Sequence, residues 1–505
     1  MSRRTIRNLL IICFILAAVA LSVFLLYRFL ENRPLNRDLF LSLDEDTRSL
    51  AGSEPTALIR SMLANIVPEK EYSRITLDYP FDKSVFPPEI VAPTFLWHEP
   101  EKSAALWLID ITFKDNPFHI YALTAGKQAE RQIDPAAVSS TNEGYRRSDY
   151  DLAAKAWTPG EDEWEIIKRN CVEAFATVTI SGFSSGDRPQ ILSRGCVELI
   201  SSKDAVGAPI FYRDVPLMPS ETTEGLIKPI AKRALPLISW KLRDISKPSA
   251  AVVLKNMPTC ANCHTFSRNG RVLGIDMDGP GGDKGAYGLT KVKNRVVITD
   301  KDIITWNSYR YTPAGHKNFG LFSHVSPDGK YVISTLNEST FVANYPDFRF
   351  LQSFYPTRGI FAVYYKDTGA MEPLPGADDT NYVHTNACWS PDGRNIVFSR
   401  AKAKNNYETK ALPIHVGDPN ETFIQYDLYT MPFNEGSGGI PSRLEGASRN
   451  GMSNSFARYS PDGKWIVFVQ TDKGQLMRPE SRLYIIPSQG GKARKMNCNL
   501  PVMNS

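Results

Sequence analysis

The sequence predicts a mainly β chain: a membrane-spanning N-terminal helix, then a β-sandwich domain, then a β-propeller. Three observations predict this order. Leu9 to Leu26 is almost unbroken apolar sequence. Short alternating segments between proline-rich turns fill the region from 75 to 205. From about residue 255 onward, a Ser-Pro-Asp-Gly turn recurs at long spacing, each time followed by an aliphatic run.

The 505 residues exceed what one small core organises, which implies two or three domains. With 42% hydrophobic and 22% charged residues, the composition is that of a globular protein. A net charge of +5, spread without any Lys/Arg run, argues against nucleic acid as a partner. Thirty-five prolines, 33 glycines and 11% aromatics suit short strands and turns better than long helices.

The apolar run is long enough to span a bilayer with help from Tyr27, Phe29 and Leu30. Arg3, Arg4 and Arg7 precede it, so residues 1–30 read as a basic cytoplasmic tip and a transmembrane anchor, with the rest of the chain in the periplasm. The anchor implies inner-membrane lipid as a partner. Ala18-Val19-Ala20 matches a signal-peptidase site, but six further apolar residues follow, which favours an uncleaved anchor. Cys13 follows Ile11 and Ile12 rather than small residues, and reads as a membrane cysteine rather than a lipidation site. Residues 31–74 are polar and read as a membrane-proximal linker, with a short helix around Thr56 to Ile66.

Residues 75–205 read as the sandwich. Leu106 to Phe113 alternates, with Trp107, Ile109, Ile111 and Phe113 on one face. Trp164-Glu165-Ile166 and Ala176 to Ile180 are read as strands on the same ground. The stretch from Tyr79-Pro80-Phe81-Asp82 to Pro93-Thr94-Phe95-Leu96-Trp97 resembles the opening strands of fibronectin type III domains. Cys171 and Cys196 read as two free buried cysteines, a disulfide being the alternative in an exported compartment. Residues 206–254 carry Pro209, Pro216, Pro219 and Pro229 and read as a connecting segment that wraps the surface without an element of its own.

Residues 255–505 read as the propeller. Ser326-Pro327-Asp328-Gly329, Ser390-Pro391-Asp392-Gly393 and Ser460-Pro461-Asp462-Gly463 each precede a buried strand, and Ser267-Arg268-Asn269-Gly270 is a degenerate copy. The copies start 59, 64 and 70 residues apart. Proline presets φ, aspartate stabilises the bend and glycine accepts positive φ. Asp427 to Pro432 and Arg482 to Pro487 read as the strands that follow. Strand, turn and strand at a long period is the pattern of propeller blades. Four copies are few for a closed ring of such blades, so the reading is either a truncated propeller or one closed by upstream strands.

Cys260-Ala261-Asn262-Cys263-His264 is the attachment signature of c-type haem. Two thiols at this spacing add to the two vinyl groups, and the adjacent histidine supplies an axial nitrogen to the iron. Cys260, Cys263 and His264 are therefore the predicted haem c site, His264 being proximal. Met277, His316, His324 and His384 are the distal candidates. Zinc is the rival, but no second ligand pair follows at short range; a thioredoxin-like redox pair lacks its β-α-β context. Asp276, Asp278 and Asp283 offer carboxylates to calcium, though a glycine-rich hairpin turn is the plainer reading. No nucleophile elbow is read in the chain, and no H-E-x-x-H is present.

The repeat resembles the TolB-like propeller family, in which Ser-Pro-Asp-Gly precedes a hydrophobic strand and a Leu-Tyr-hydrophobic strand follows. The match covers about half the chain. The whole resembles exported bacterial proteins that join such a propeller to a C-x-x-C-H motif, often labelled cytochrome c biosynthesis proteins; the matching residues run from Cys260 to Gly279. The resemblance implies an envelope accessory protein, haem-bearing or redox-active, with a protein or glycan partner on the propeller. The alternative is a non-redox envelope scaffold with structural cysteines; a periplasmic hydrolase is the third reading.

Overall fold

The structure, a computed structural model, describes residues 39–40, 47–48, 54–67, 70–128, 134–138, 149–186, 188–216, 232–257, 259, 261–293, 296–345, 352–406 and 416–499. The predicted anchor, Cys13 and Cys260 lie outside the described residues. No described helix is long and apolar enough to cross a membrane. The chain is mainly β, its described strands forming six sheets, and it divides into two compact units.

The first unit holds the described residues of 39–128, 149–209 and 244–249. Its main sheet orders Asn116–Thr124, Ala104–Phe113, Ala176–Ser184 and Ile191–Ser201 as antiparallel neighbours, with short strands at the edges. A second sheet is built on Phe95–His98 and Ala154–Trp157. Trp107, Ile109, Ile111 and Phe113 share one buried face with Val178, Ile180, Val197 and Leu199, and meet Phe95 and Trp97 of the second sheet. The rings of Trp97 and Trp107 lie 5.9 Å apart, edge to face. Residues of opposite parity, Leu106, Leu108, Tyr121, Leu123 and Phe183, fill a second core with Ile59 and Met62 of helix α1 (Pro55–Ala64). A two-sheet sandwich with the expected Trp107 face is thus present, and its main sheet is covered on both sides.

Three expectations are corrected here. Trp164-Glu165-Ile166 is not a strand but part of helix α2 (Glu161–Asn170). Glu161, Asp162 and Glu163 open it and Lys168 and Arg169 close it, which matches the helix dipole, and Trp164 and Ile167 are buried at i and i+3. The stretch 31–74 is more than a linker, because α1 is a core element of the sandwich. Cys171 and Cys196 are both free, but only Cys171 is buried; Cys196 is exposed.

The second unit holds the described residues of 134–138, 210–243 and 250–499. It is propeller-like: four successive sets of antiparallel strands follow one another. The first blade is Ala261–Phe266, Val272–Met277, Ala286–Lys291 and Ile303–Thr305. The second is Leu321–Val325, Tyr331–Asn344, Gln352–Tyr365 and Met371–Pro373. The third is Tyr382–Trp389, Asn395–Lys402, Asp427–Pro432 and Ser442–Arg443. The fourth is Ser453–Tyr459, Trp465–Thr471, Arg482–Pro487 and Arg494–Lys495. The strands expected at Asp427 to Pro432 and Arg482 to Pro487 are present at those bounds.

Each turn after an inner strand is closed in the same way. In the second blade Ser326 Oγ donates to Asp328 Oδ1 at 2.6 Å and accepts from Tyr331 N at 3.0 Å, while Lys330 N donates to Asp328 Oδ1 at 3.1 Å. The degenerate copy keeps all three contacts, with Asn269 Oδ1 in place of the carboxylate. Gly329, at φ +74°, supplies the left-handed step that the turn requires.

The segment 206–254 departs most from expectation. Ile210–Asp214, Ser239–Arg243 and Ala251–Lys255 form a three-stranded antiparallel sheet. Ile238 and Trp240 share a core with Ala261, Ile275, Met277 and Ala286 of the first blade. The prolines obscured strands that are specified by this tertiary burial. Trp240 is fully buried, so Trp240→Ala should cost about 3–5 kcal/mol in urea unfolding of the second unit. A loss within the range of a surface substitution would show that the segment only wraps the propeller.

Candidate functional site

The four inner strands share an irregularity. Their pairing breaks between Leu321 and His324, between Thr385 and Cys388, and between Ser455 and Arg458. At the same place in each of these three bulges a non-glycine residue is left-handed: Phe322 at φ 55°, Asn386 at 59° and Phe456 at 52°. Phe322 and Phe456 meet edge to face at 5.5 Å, and Phe322 meets Phe354 at 5.8 Å, so the bulges of the second and fourth blades are in contact.

The first blade departs from this pattern. Its break lies between Ala261 and His264, and His264, Thr265 and Phe266 pair in order with Ile275, Gly274 and Leu273. Counting back from the turn serine, Cys263 takes the position of Phe322, Asn386 and Phe456. His264 takes that of Ser323, Ala387 and Ala457, which are small and buried in the other blades. The motif therefore lies on the one inner strand whose register and side chains differ.

Around Cys263 stand Asp276, Arg213 and Arg458. The residue keeps exposed surface, yet it is enclosed enough that desolvation, assisted by the Asp276 carboxyl, pushes the thiol up to about 11; Arg213 and Arg458 oppose this. Arg213, on the strand Ile210–Asp214, donates to Ala261 O at 2.6 Å and contacts Asn262 Oδ1, tying the upstream sheet to the motif. The His264 ring meets the ring edges of Phe211 at 4.7 Å and Phe266 at 6.3 Å. Its pKa is lowered, chiefly by desolvation, against backbone contacts at Phe211 and Asn262 that favour the charged ring; none of these reaches Nδ1 with full hydrogen-bond geometry.

Asp276 lies opposite the bulge. Its carboxyl is enclosed, and burial raises it to about 8 against a hydrogen bond with Ser323 that favours the charge. Tyr287 OH lies 3.2 Å from Thr265 Oγ1, which accepts from Val325 N of the second blade at 3.1 Å. A side chain at Gly274 would overlap the Tyr287 hydroxyl, so the glycine admits that tyrosine.

The distal candidates are scattered. Met277 is buried in the core with Trp240 and Ile275. His316 sits in the loop after the first blade, its Nε2 buried without a partner among the described residues. His324 lies on the inner strand of the second blade, where desolvation and the Arg458 charge lower its pKa to about 3; its Nδ1 is 3.2 Å from Val325 O. His384 is fully buried in the third blade among Phe361, Phe398 and Tyr382. His324 shares a charged neighbour, Arg458, with Cys263. Asp278 pairs with Lys284, and Asp283 Oδ1 accepts from Gly285 N at 2.9 Å and Asn307 Nδ2 at 2.7 Å, so these residues build the glycine-rich turn. Among the described residues no group of three or more His, Cys, Asp or Glu is placed to hold a metal ion.

Sequence reading missed Arg213 because its strand was taken as a connector, and it missed Arg458. Aligning the four copies on their turn serine would have exposed Arg458, since that position holds Thr265, His324 and Cys388 in the other blades.

No protein family matches the chain, and no curated protein matches it. Among solved structures it is similar to Kuenenia stuttgartiensis hydrazine synthase, at 11% identity and a TM-score of 0.30, over 62% of this chain and 73% of that one. A nidogen/laminin complex gives 10% and 0.32 over 51% and 73%. A prolyl endopeptidase gives 12% and 0.27 over 51% and 31%. The propeller-like assignment rests on the strand pairing and the repeated turns, not on these likenesses.

The raised Asp276 has a measurable consequence. The folded chain holds this proton more tightly than the unfolded one, so the carboxyl favours folding at low pH, and that contribution is lost as pH rises from about 4 to about 8. Asp276→Asn should flatten the pH dependence of the urea midpoint across this window and exceed wild type at its upper end. Identical pH profiles would show that the carboxyl is not desolvated.

Proposed function

We propose that this chain is a membrane-anchored, periplasm-facing c-type haem protein of the cell envelope, whose propeller docks an electron-donating or electron-accepting partner. Cys260 and Cys263 hold the haem and His264 is the proximal iron ligand. One observation carries the reading: the C-x-x-C-H motif occupies the only inner strand of the four that breaks the bulge pattern, and functional sites are where a repeat departs from its own rule. The residues fit the group. An iron ligand must be a neutral imidazole, and partial burial favours that form of His264. Haem bound there would supply one-electron redox chemistry, while Arg213 holds the strand from outside.

The finer assignments belong to the same proposal. The TolB-like identity of the propeller is supported by the Ser-Pro-Asp-Gly repeat, and the fibronectin III-like identity of the sandwich by the Tyr79–Trp97 segment. Inner-membrane anchoring is supported by Arg3, Arg4 and Arg7 ahead of Leu9 to Leu26. The rival, a non-redox scaffold, draws support from a groove of about 850 Å³ at the turn end of the second and third blades, lined by Tyr331, Trp389, Phe433, Pro327 and Pro391.

The test is a pyridine haemochrome spectrum of the denatured chain, exported with c-type maturation factors, beside a Cys260→Ala/Cys263→Ala control. Expected is a haem band that survives denaturation in wild type and is absent from the control. A wild-type chain without covalent haem would overturn the haem reading and leave the scaffold.

A further inference from the structure

Positive charge gathers where the first blade meets the second. Lys291 ends the first blade's third strand, Lys293 and Lys301 lie in the segment leading to its fourth, and Lys366 follows the second blade's third strand. All four line one cavity of about 560 Å³. Asp302 is the one carboxylate among the described residues lining it, and it is already engaged: its Oδ2 accepts from Thr299 N at 2.9 Å and from Thr299 Oγ1 at 2.8 Å. Asp300 and Asp367, neighbours in sequence, do not line it. None of the four lysines forms a salt bridge among the described residues.

The repeat does not ask for these lysines. Lys291, Tyr365, Pro432 and Pro487 are equivalent, since each pairs with the residue five places after the start of its blade's turn. Two residues further on stand Lys293, Asp367, Asn434 and Gln489. Lysine at both positions is thus peculiar to the first blade. Gathered like charges repel and work against folding, so their placement calls for a counter-charge. The rest of the lining is apolar. Leu289, Ile304 and Tyr364 form its walls, and Val296 and Val297 stay 37% and 64% exposed beside the cations. An inorganic anion would neutralise the lysines and leave the valines wet. A ligand with an anionic head and an apolar body would satisfy both.

We propose that this cavity binds an amphipathic oxyanion, a phosphate or carboxylate head on a small apolar body, with the lysines taking the head and Val296, Val297 and Tyr364 the body. No residue of the C-x-x-C-H motif lines the cavity, so the site rests on no part of the haem reading. This chemistry has two sources: a free small molecule or the headgroup region of an anionic lipid.

The experiment titrates phenyl phosphate, and separately inorganic phosphate, into the full chain held in neutral-lipid discs, by calorimetry. Wild type is compared with Lys301→Gln/Lys366→Gln and with Val297→Asn, all at exposed or half-buried positions, with urea midpoints confirming that each is folded. Expected is binding of phenyl phosphate that weakens about ten- to hundred-fold in the double lysine variant. Inorganic phosphate should bind wild type at least about tenfold more weakly, and Val297→Asn should weaken phenyl phosphate alone. Repeating the titration in discs containing phosphatidylglycerol separates the sources. Lysine-dependent binding that persists there assigns the site to a free molecule, and its loss assigns the site to the lipid. No binding by wild type, or equal binding by the folded double lysine variant, overturns the proposal. Inorganic phosphate bound as tightly as phenyl phosphate overturns its amphipathic part.

Discussion

The clasp between the turn serine and its aspartate is the contact on which the propeller-like unit depends. The serine hydroxyl bonds the carboxylate two residues on and accepts the amide that opens the next strand, so one side chain closes the turn and sets the register. Register decides which face every later residue occupies. The bulge residues, the small buried residue and the residue after it are thereby placed alike in the second, third and fourth blades. The degenerate copy is no weaker. Asn269 makes the aspartate's contacts, and Arg268, standing where the others have proline, gains an N–H that donates to Pro327 O at 2.9 Å, while its side chain reaches Pro391 O at 2.9 Å. The first turn thus ties itself to the next two.

The opposite end of the unit is held by charge. Glu421, in the long connection within the third blade, is buried and accepts from Lys473 at 2.8 Å, Arg478 at 3.1 Å and Gly417 N at 2.9 Å, and the Tyr355 hydroxyl of the second blade's extended hairpin reaches it at 3.2 Å. Desolvation works against the carboxylate, yet these contacts together hold its pKa below the ordinary value. A buried charge is tolerable only when it is matched this fully. Segments of three blades are clamped at one point, at the end where the inner strands begin and the motif lies.

Local chemistry made much of this legible in the sequence. The turns were readable because Ser, Asp and Gly act within five residues, and the Trp107 face because alternation is a property of one strand. What escaped depended on distant partners. Trp164-Glu165-Ile166 looks alternating over three residues, and only the acidic start at Glu161 and basic end at Lys168 betray the helix. The strands within 206–254 are hidden among Pro209, Pro216, Pro219 and Pro229, and Trp240 finds its core in the first blade. Of the site, the motif was legible and its surroundings were not: Arg213 and Arg458 are ordinary surface arginines until the fold brings them to Cys263.

On the haem reading proposed above, the shift of the bulge in the first blade would give the motif a division of labour. In the other blades the unpaired positions are the left-handed residue and the small residue after it. Here the break comes one residue earlier, so Asn262 and Cys263 are unpaired while His264 is held in the ladder against Ile275. An axial ligand benefits from a backbone that cannot move, because its nitrogen must meet the iron at one distance. A thiol that must reach a vinyl carbon benefits from a backbone that can adjust. The register places the imidazole on the rigid side of the break and the thiol on the adjustable side, which a regular strand, pairing both residues alike, would not do.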